Sequence, residues 1–401
     1  MNSDCTLQSR HCRFPPSPNQ PYDLLILGAG CAGLSLAYNL SVNPEYKGRV
    51  LLVDSRVEYS RDRSWCFFSP DDPSLVSEDL ISHRWTIASV RRGDESVRLL
   101  LDSKPYTLVE ASSFYQQAFE QLHKDSRFSI ALGYSISEED LVDEDQKVSI
   151  RLGDQWYSSQ QVVDSRSDRF FPQSSAGLWQ IFIGYEIETD QPRFRSEEAT
   201  LMDFLEDQSH VVSFMYELPT RSNRALLEYT VFSAKNMDPE NLSPLLKEAI
   251  SNRLPGVNYR IVRSEKGVIP MGVADPFKGG KQRRLRAGLM AGAARPSTGY
   301  AFLRIQRWAR DCAESLILQR EIQTFHKDPL LTSVMDKIFL RVLKMMPSQT
   351  SRLFLDLFKK TPGRSLVRFL NDEGGLLDHI YVINSLPKRP FIRAFIRRYD
   401  A

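Results

Sequence analysis

Hydrophobic positions change their period several times along the chain. Leu24 to Leu27 is an unbroken apolar run, the pattern of a strand buried on both faces. Leu34, Ala37 and Tyr38 then share one side of a predicted helix that continues to Leu40, and Arg49 to Val53 reads as a second apolar strand ending at Asp54. Between residues 84 and 110 the alternation of Trp85-Thr-Ile-Ala-Ser-Val and Val97-Arg-Leu-Leu-Leu predicts antiparallel strands. Phe114, Phe119 and Leu122 place a helix over 112–123, and Val148 to Tyr157 returns to strand character. Gln161-Val-Val-Asp164 reads as a short buried strand ending in an acid, and Asp164 fits a turn former or cap as well as a cofactor contact. Trp179 to Glu188, Val211 to Leu218 and Ala225 to Phe232 are strongly β by composition, the last two joined by a hairpin loop over 219–224. An amphipathic helix over 239–252 and a strand over 260–268 follow, and residues 303–401 read mostly helical.

Composition narrows the class of protein. A chain of 401 residues, 42% hydrophobic and 25% charged, has room for two or three domains with sizeable cores. A net charge of +2 gives no polyanion signal, so nucleic acid is not an expected partner. The five cysteines are scattered without a CxxC, which argues against a disulfide framework or a metal site and for a reducing, cytoplasmic compartment. No run of 18 apolar residues occurs, and the proline-rich, polar residues 1–20 are expected to be a disordered tail.

The first strand leads directly into Gly28-Ala29-Gly30-Cys-Ala-Gly33. Gly28 permits the tight turn, Gly30 the approach of backbone to a pyrophosphate, and Gly33 close packing of helix on strand. Asp54, 21 residues after Gly33, is placed to hydrogen-bond an unphosphorylated ribose, which favours FAD or NAD over NADP. The stretch Arg61-Asp-Arg63-Ser-Trp65 allows two readings: a loop over the pocket with Arg63 near the pyrophosphate, or a charged turn above packed aromatics. A second glycine-rich centre, Gly292-Ala-Ala-Arg295-Pro296-Ser-Thr298-Gly299-Tyr300, opens another helix; it fits an ordinary strand–turn–helix corner, or a cofactor turn whose helix N-terminus would stabilise negative charge on a reduced flavin, the reading that two such centres favour. Glu228 lies inside the apolar strand Ala225-Leu-Leu-Glu-Tyr-Thr-Val-Phe232, where burial would raise its pKa and alternation equally allows exposure. At the C-terminus Phe391, Ile392, Phe395 and Ile396 share a helical face beside Arg393, Arg397 and Arg398, a pattern that suits either a membrane-surface helix or one packed on its own domain.

Taken together, LGAGCAGLSLA, Asp62-Arg-Ser-Trp-Cys-Phe67, Gln180 to Gly184, Met202-Asp203, LLEYTVFS, Ile269-Pro-Met-Gly272 and Arg295-Pro-Ser-Thr-Gly-Tyr-Ala-Phe302 resemble the bacterial-type lycopene cyclases. The resemblance runs from about Tyr22 to the C-terminus. It implies an α/β fold: a Rossmann-like, glutathione-reductase-type FAD domain (21–75, 155–175 and 265–320), an inserted antiparallel substrate sheet (76–154 and 176–264) and a helical C-terminal region (321–401). It further implies reduced FAD with NAD(P)H as electron source, a peripheral membrane location, and lycopene or another long polyene as substrate. The implied reaction is cyclisation of linear ψ ends to β-ionone rings without net redox change, with Glu228 at the family's essential glutamate. A flavin monooxygenase or polyene reductase on the same fold is the alternative. The chain departs from the pattern at Tyr229, where the plant-type motif has a second acid, at Val273, where a Gly is usual, and at Arg295, where many members have His.

Overall fold

The computed structural model describes residues 17–18, 20–144, 146–166, 176–205, 212–273 and 283–396. Most of the expected N-terminal tail, and Arg397 and Arg398, lie outside them.

The Gly28 turn is carried by a seven-stranded sheet. Its parallel part runs Phe128–Leu132, Val50–Asp54, Tyr22–Leu27, Gln155–Asp164. Arg284–Arg286 pairs in parallel with the end of Gln155–Asp164, and Val148–Leu152 and Leu141–Asp143 extend it antiparallel. Successive residues of a strand point to opposite faces. Leu24 and Ile26 therefore enter a core beneath the helices Cys31–Val42 and Phe302–Leu318, while Leu25 and Leu27 enter another with Val53 and Ile150. This explains why Leu24 to Leu27 carries no alternation.

A second seven-stranded sheet has the order Tyr259–Val273, Ala176–Thr189, Arg224–Ser233, Val212–Arg221, Glu198–Phe204, Ile87–Arg92, Glu95–Leu100. One of its faces is covered by the helix Ser243–Arg253, where Leu246 and Ile250 pack with Leu227, Tyr229 and Val231. Burying each such side chain contributes about 1.5–3 kcal/mol. The five helices Leu330–Met345, Thr350–Lys360, Gly363–Leu370, Leu376–Ser385 and Lys388–Ile396 share a core with the other face. A three-stranded sheet of Ser64–Phe68, Tyr106–Glu110 and Ile81–Trp85 completes the β structure described.

The sheets divide the chain differently from the expected boundaries. Residues 128–152, expected in the substrate part, supply three strands of the first sheet, because Phe128–Leu132 pairs with Val50–Asp54 and Val148–Leu152 with Gln155–Asp164. Residues 265–273, expected in the cofactor part, belong to the second sheet, where they pair with 176–184. Among the described residues no helix is long and apolar enough to cross a membrane.

Candidate functional site

The site is built from the ends of two strand–turn–helix units. At the first, Gly28 has φ +93°, and a Cβ on Gly33 would stand 1.9 Å from the Gly28 carbonyl oxygen, so only hydrogen fits. A Cβ on Gly30 would meet nothing nearer than an Arg56 nitrogen at 3.8 Å, which leaves the turn open to a phosphate there. Asp54 is buried. Its carboxylate accepts from the Ala29 N–H at 2.5 Å and from the Arg56 backbone N–H at 2.7 Å. The Arg56 guanidinium bridges Asp54 and the Ala29 carbonyl and lies 4.3 Å from the Tyr59 ring centroid. Arg56, which drew no attention in the sequence, is therefore the cation nearest this turn. Arg63 lines the cavity, as Cys31 does, and donates to the Asp62 carbonyl. Asp164 is ion-paired with Arg166 and Arg284, a structural role.

At the second turn Gly292 and Gly299 have φ of +75° and +73°. The Gly299 N–H donates to the Arg295 carbonyl at 2.9 Å, and the Arg295 N–H donates to the Tyr300 carbonyl at 2.9 Å. A Cβ on Gly299 would stand 2.4 Å from Gln180 Oε1, so glycine lets the turn press against the second sheet. The helix after it begins at Phe302, whose ring stacks on Trp65 and Phe67 at 5.2 Å each. The Ser64–Phe68 segment is thus a packed strand, while Arg61 pairs with Glu110 and Glu186.

Ser297 to Phe302, the Ser64–Cys66 segment and the open face of the second sheet enclose a cavity of about 580 Å³. Glu228 lies in its wall with Thr230 and Phe232, on the face opposite to Leu227, Tyr229 and Val231. It is 7% exposed, so the solvent-facing alternative does not hold.

The sheet register explains the surroundings of Glu228. Gly184 stands between Glu228 on one neighbouring strand and Glu265 on the other. A Cβ on Gly184 would lie 2.6 Å from Glu228 Cγ, so the glycine leaves the space in which the two carboxyl groups meet. There the Glu265 carboxyl acts directly on that of Glu228. Glu265 also accepts from Ser64 Oγ at 2.8 Å and from Arg263, and Arg263 pairs at 2.6 Å with Glu186. Burial, and then the negative charge of Glu265, push the Glu228 carboxyl well above the usual carboxylate range, against the pull of Arg263 and Arg63. Glu228 Oε1 has no hydrogen-bond partner. For Glu186 burial acts in the same upward direction but is outweighed by Arg61, Arg263 and Arg224, and its pKa is lowered. Glu228 is accordingly a carboxyl whose hold on its proton is strengthened, backed by an ion-paired network.

The polar row continues across the sheet. Tyr216 is the cross-strand partner of Glu228, and its hydroxyl is 2.5 Å from that of Tyr106, which is hydrogen-bonded to Tyr300. Burial pushes Tyr300 up to about 12 and raises Tyr106 and Tyr216 well above the ordinary tyrosine value. These hydroxyls therefore stay neutral. Trp65, Phe182, Phe214 and Phe232 make much of the remaining wall aromatic. Among the described residues no group of His, Cys, Asp and Glu is arranged to hold a metal.

A family model described as lycopene cyclase protein matches residues 23–396. The chain belongs to the lycopene cyclase family. Relatives include a chloroplastic lycopene beta cyclase of Arabidopsis thaliana, 26% identical over 326 residues, which are 76% of this chain and 62% of that protein. A chloroplastic neoxanthin synthase of Solanum tuberosum is 25% identical over 328 residues, again 76% and 62%. The chain thus spans about three fifths of the length of these curated relatives. Among solved structures, a geranylgeranyl bacteriochlorophyll reductase-like protein from Thermoplasma acidophilum has a TM-score of 0.66 at 12% identity, covering 94% of this chain and 99% of that one. A variant of the halogenase PltM in complex with FAD has a TM-score of 0.59 at 12% identity, covering 94% and 92%. This family member therefore has the mixed α/β fold of FAD-binding reductases and halogenases.

The structure brings Thr298, Gly299, Tyr300 and Glu228 to one cavity and leaves Gly28, Ala29, Gly30, Gly33 and Asp54 at the neighbouring turn. Gly292 and Pro296 flank the second turn without lining the cavity. Glu265, Ser64, Arg263 and Gly184 were not legible as a site. The usable signal was Gly184 itself, since a glycine inside an otherwise β-prone strand marks a close approach.

Proposed function

We propose that this protein is a lycopene cyclase that binds FAD and converts linear ψ ends to β-ionone rings without net redox change. The observation that carries the reading is Glu228: a buried carboxyl in the wall of an aromatic-lined cavity beside the second glycine turn, its hold on its proton strengthened by burial and by Glu265.

The residues at both turns fit FAD. Gly28 to Gly33 and Asp54 would hold its adenosine diphosphate, and Gly292 to Tyr300 would hold its ring end. Held there in its reduced form, with NAD(P)H as the proposed electron source, FAD would supply negative charge beside the cavity, which would favour a cationic transition state. Glu228 gives its proton to the terminal double bond, whose π electrons form the new C–H bond. The resulting cation is attacked by the next double bond and the ring closes. Loss of a ring proton to the Glu228 carboxylate restores both the acid and the double bond, so no electrons are gained or lost. The aromatic wall excludes water that would quench the cation and presents ring faces to it.

Expression in a lycopene-accumulating bacterium, followed by chromatography of the pigments, tests the reading. β-Carotene or a one-ringed intermediate is the expected product. Unchanged lycopene beside a flavin-loaded protein would remove the cyclase assignment. At the first turn, Gly33→Ala is expected to weaken flavin retention at least tenfold, about 1.4 kcal/mol, because its methyl would overlap the Gly28 carbonyl. The flavin absorbance of the purified variant checks this.

We also place the protein at the cytoplasmic surface of a membrane. On Lys388–Ile396, Ile392, Phe395 and Ile396 are exposed beside exposed Lys388, Arg389 and Arg393, a composition suited to an anionic lipid interface.

A further inference from the structure

A second cavity, of about 400 Å³, lies among the C-terminal helices. Its walls include Val334, Ile338, Phe339, Val382 and Phe391, and the one carboxyl in its lining, Asp336, is turned to account by its ion pair with Arg295. It shares Ser297, Thr298, Phe354, Leu357 and Leu370 with the cavity that holds Glu228, so these few side chains are the partition between the two. At the other end Leu331, Ile383, Ile392 and Phe395 line the second cavity and are also 40–55% exposed, which makes them its mouth.

Apolar exposure elsewhere is sparse. Of the 18 large hydrophobic residues exposed among those described, ten fall within 330–396, and the mouth is part of that group. Such a concentration marks a surface that water does not normally cover. Lys388 lines this cavity as well, so the mouth opens beside a cation.

We infer that the second cavity holds the unreacted length of the polyene, which enters from the lipid through the Leu331–Ile383–Ile392–Phe395 mouth and threads past Leu357 and Leu370 until its end reaches Glu228. The inference rests on the cyclase reading. The cavity around Glu228 must accommodate a ring in formation, and a long rigid polyene has to continue somewhere apolar. The second cavity shares a wall with the first, through which the chain passes once the Leu357 and Leu370 side chains turn aside, is lined almost wholly by apolar side chains, and reaches the surface at its mouth. A consequence is that chain length is measured by the helical region rather than by the residues around Glu228.

The test compares two substrates in liposomes containing anionic lipid: lycopene, and a truncated polyene with one ψ end and a chain short enough to end within the first cavity. Ile383→Trp narrows the mouth at an exposed position where folding tolerates bulk, and Val382→Trp fills the interior. Each is expected to lower the ratio of kcat/KM for lycopene over that for the short polyene by about tenfold or more. An unaltered ratio in Ile383→Trp, with the protein folded and flavin-loaded, would overturn the inference even if Val382→Trp failed to fold. Equal loss on both substrates would overturn it as well. Failure of the unsubstituted protein to convert either polyene would instead remove the cyclase reading and the inference with it.

Discussion

Glu228→Gln is expected to lower turnover by about 10²–10⁴-fold, the usual contribution of a general acid, while leaving the fold and bound flavin in place. Glutamine keeps the volume above Gly184 but has no acidic proton to give. The pH dependence follows from the direction of the shift. The Glu228 carboxyl is raised by burial and by Glu265, so activity holds through the ordinary carboxylate range and is lost on the alkaline side, as the proton leaves. Stability moves in the same sense. The unfolded chain releases this proton near 4.3, roughly the value for free glutamate. The favourable contribution is therefore complete below that pH and declines as pH rises through the higher folded value. Glu228→Gln abolishes that decline.

Glu265→Gln removes the nearby negative charge, so the alkaline limb of kcat/KM is expected to move to lower pH. Glu265 acts through Glu228 and is a positioning residue, and the pH profile distinguishes this from a merely structural role. A Glu228→Gln protein with more than a tenth of normal activity would take the residue out of the reaction.

The two glycine turns were legible because backbone constraint writes itself into residue type. Gly33 tolerates no Cβ, and Gly299 combines a positive φ with a side chain pressed against it. The parallel strands were legible because both their faces are buried, which leaves an unbroken apolar run. The Glu228–Glu265 pair was not, because 37 residues separate the two and only the register through Gly184 joins them. Alternation within Ala225–Phe232 correctly sorted Glu228 from Leu227 and Tyr229 but not which face meets solvent, since that depends on the helix Ser243–Arg253 covering the other side. The domain boundaries shifted for a related reason: sheet membership is decided by pairing partners distant in sequence, and composition does not report them.

Arg295 illustrates the same difficulty and leads to the second large effect expected. In sequence it stands in the motif that includes Gly299 and Tyr300, at a position where many members of the family it resembles have His. In the fold its side chain lines neither cavity. It is 1% exposed, pairs with Asp336 at 3.3 Å and Asp372 at 3.2 Å, donates to the Phe369 carbonyl, and lies 4.3 Å from the Phe369 ring centroid. Arg304 reaches the same group through Asp372 and Asp328. Arg295 therefore fastens the second glycine turn to the C-terminal helices. Arg295→Ala strands the buried Asp336 carboxylate, and the expected loss of stability is about 3–5 kcal/mol, read from denaturant unfolding. Asp336→Leu combined with Arg295→Met removes both charges and is expected to recover most of that loss, because an apolar pair incurs no desolvation of a lone ion. If Arg295→Ala left stability intact and changed the pigment formed, the latch assignment would fail, and the residue would belong to the chemistry after all.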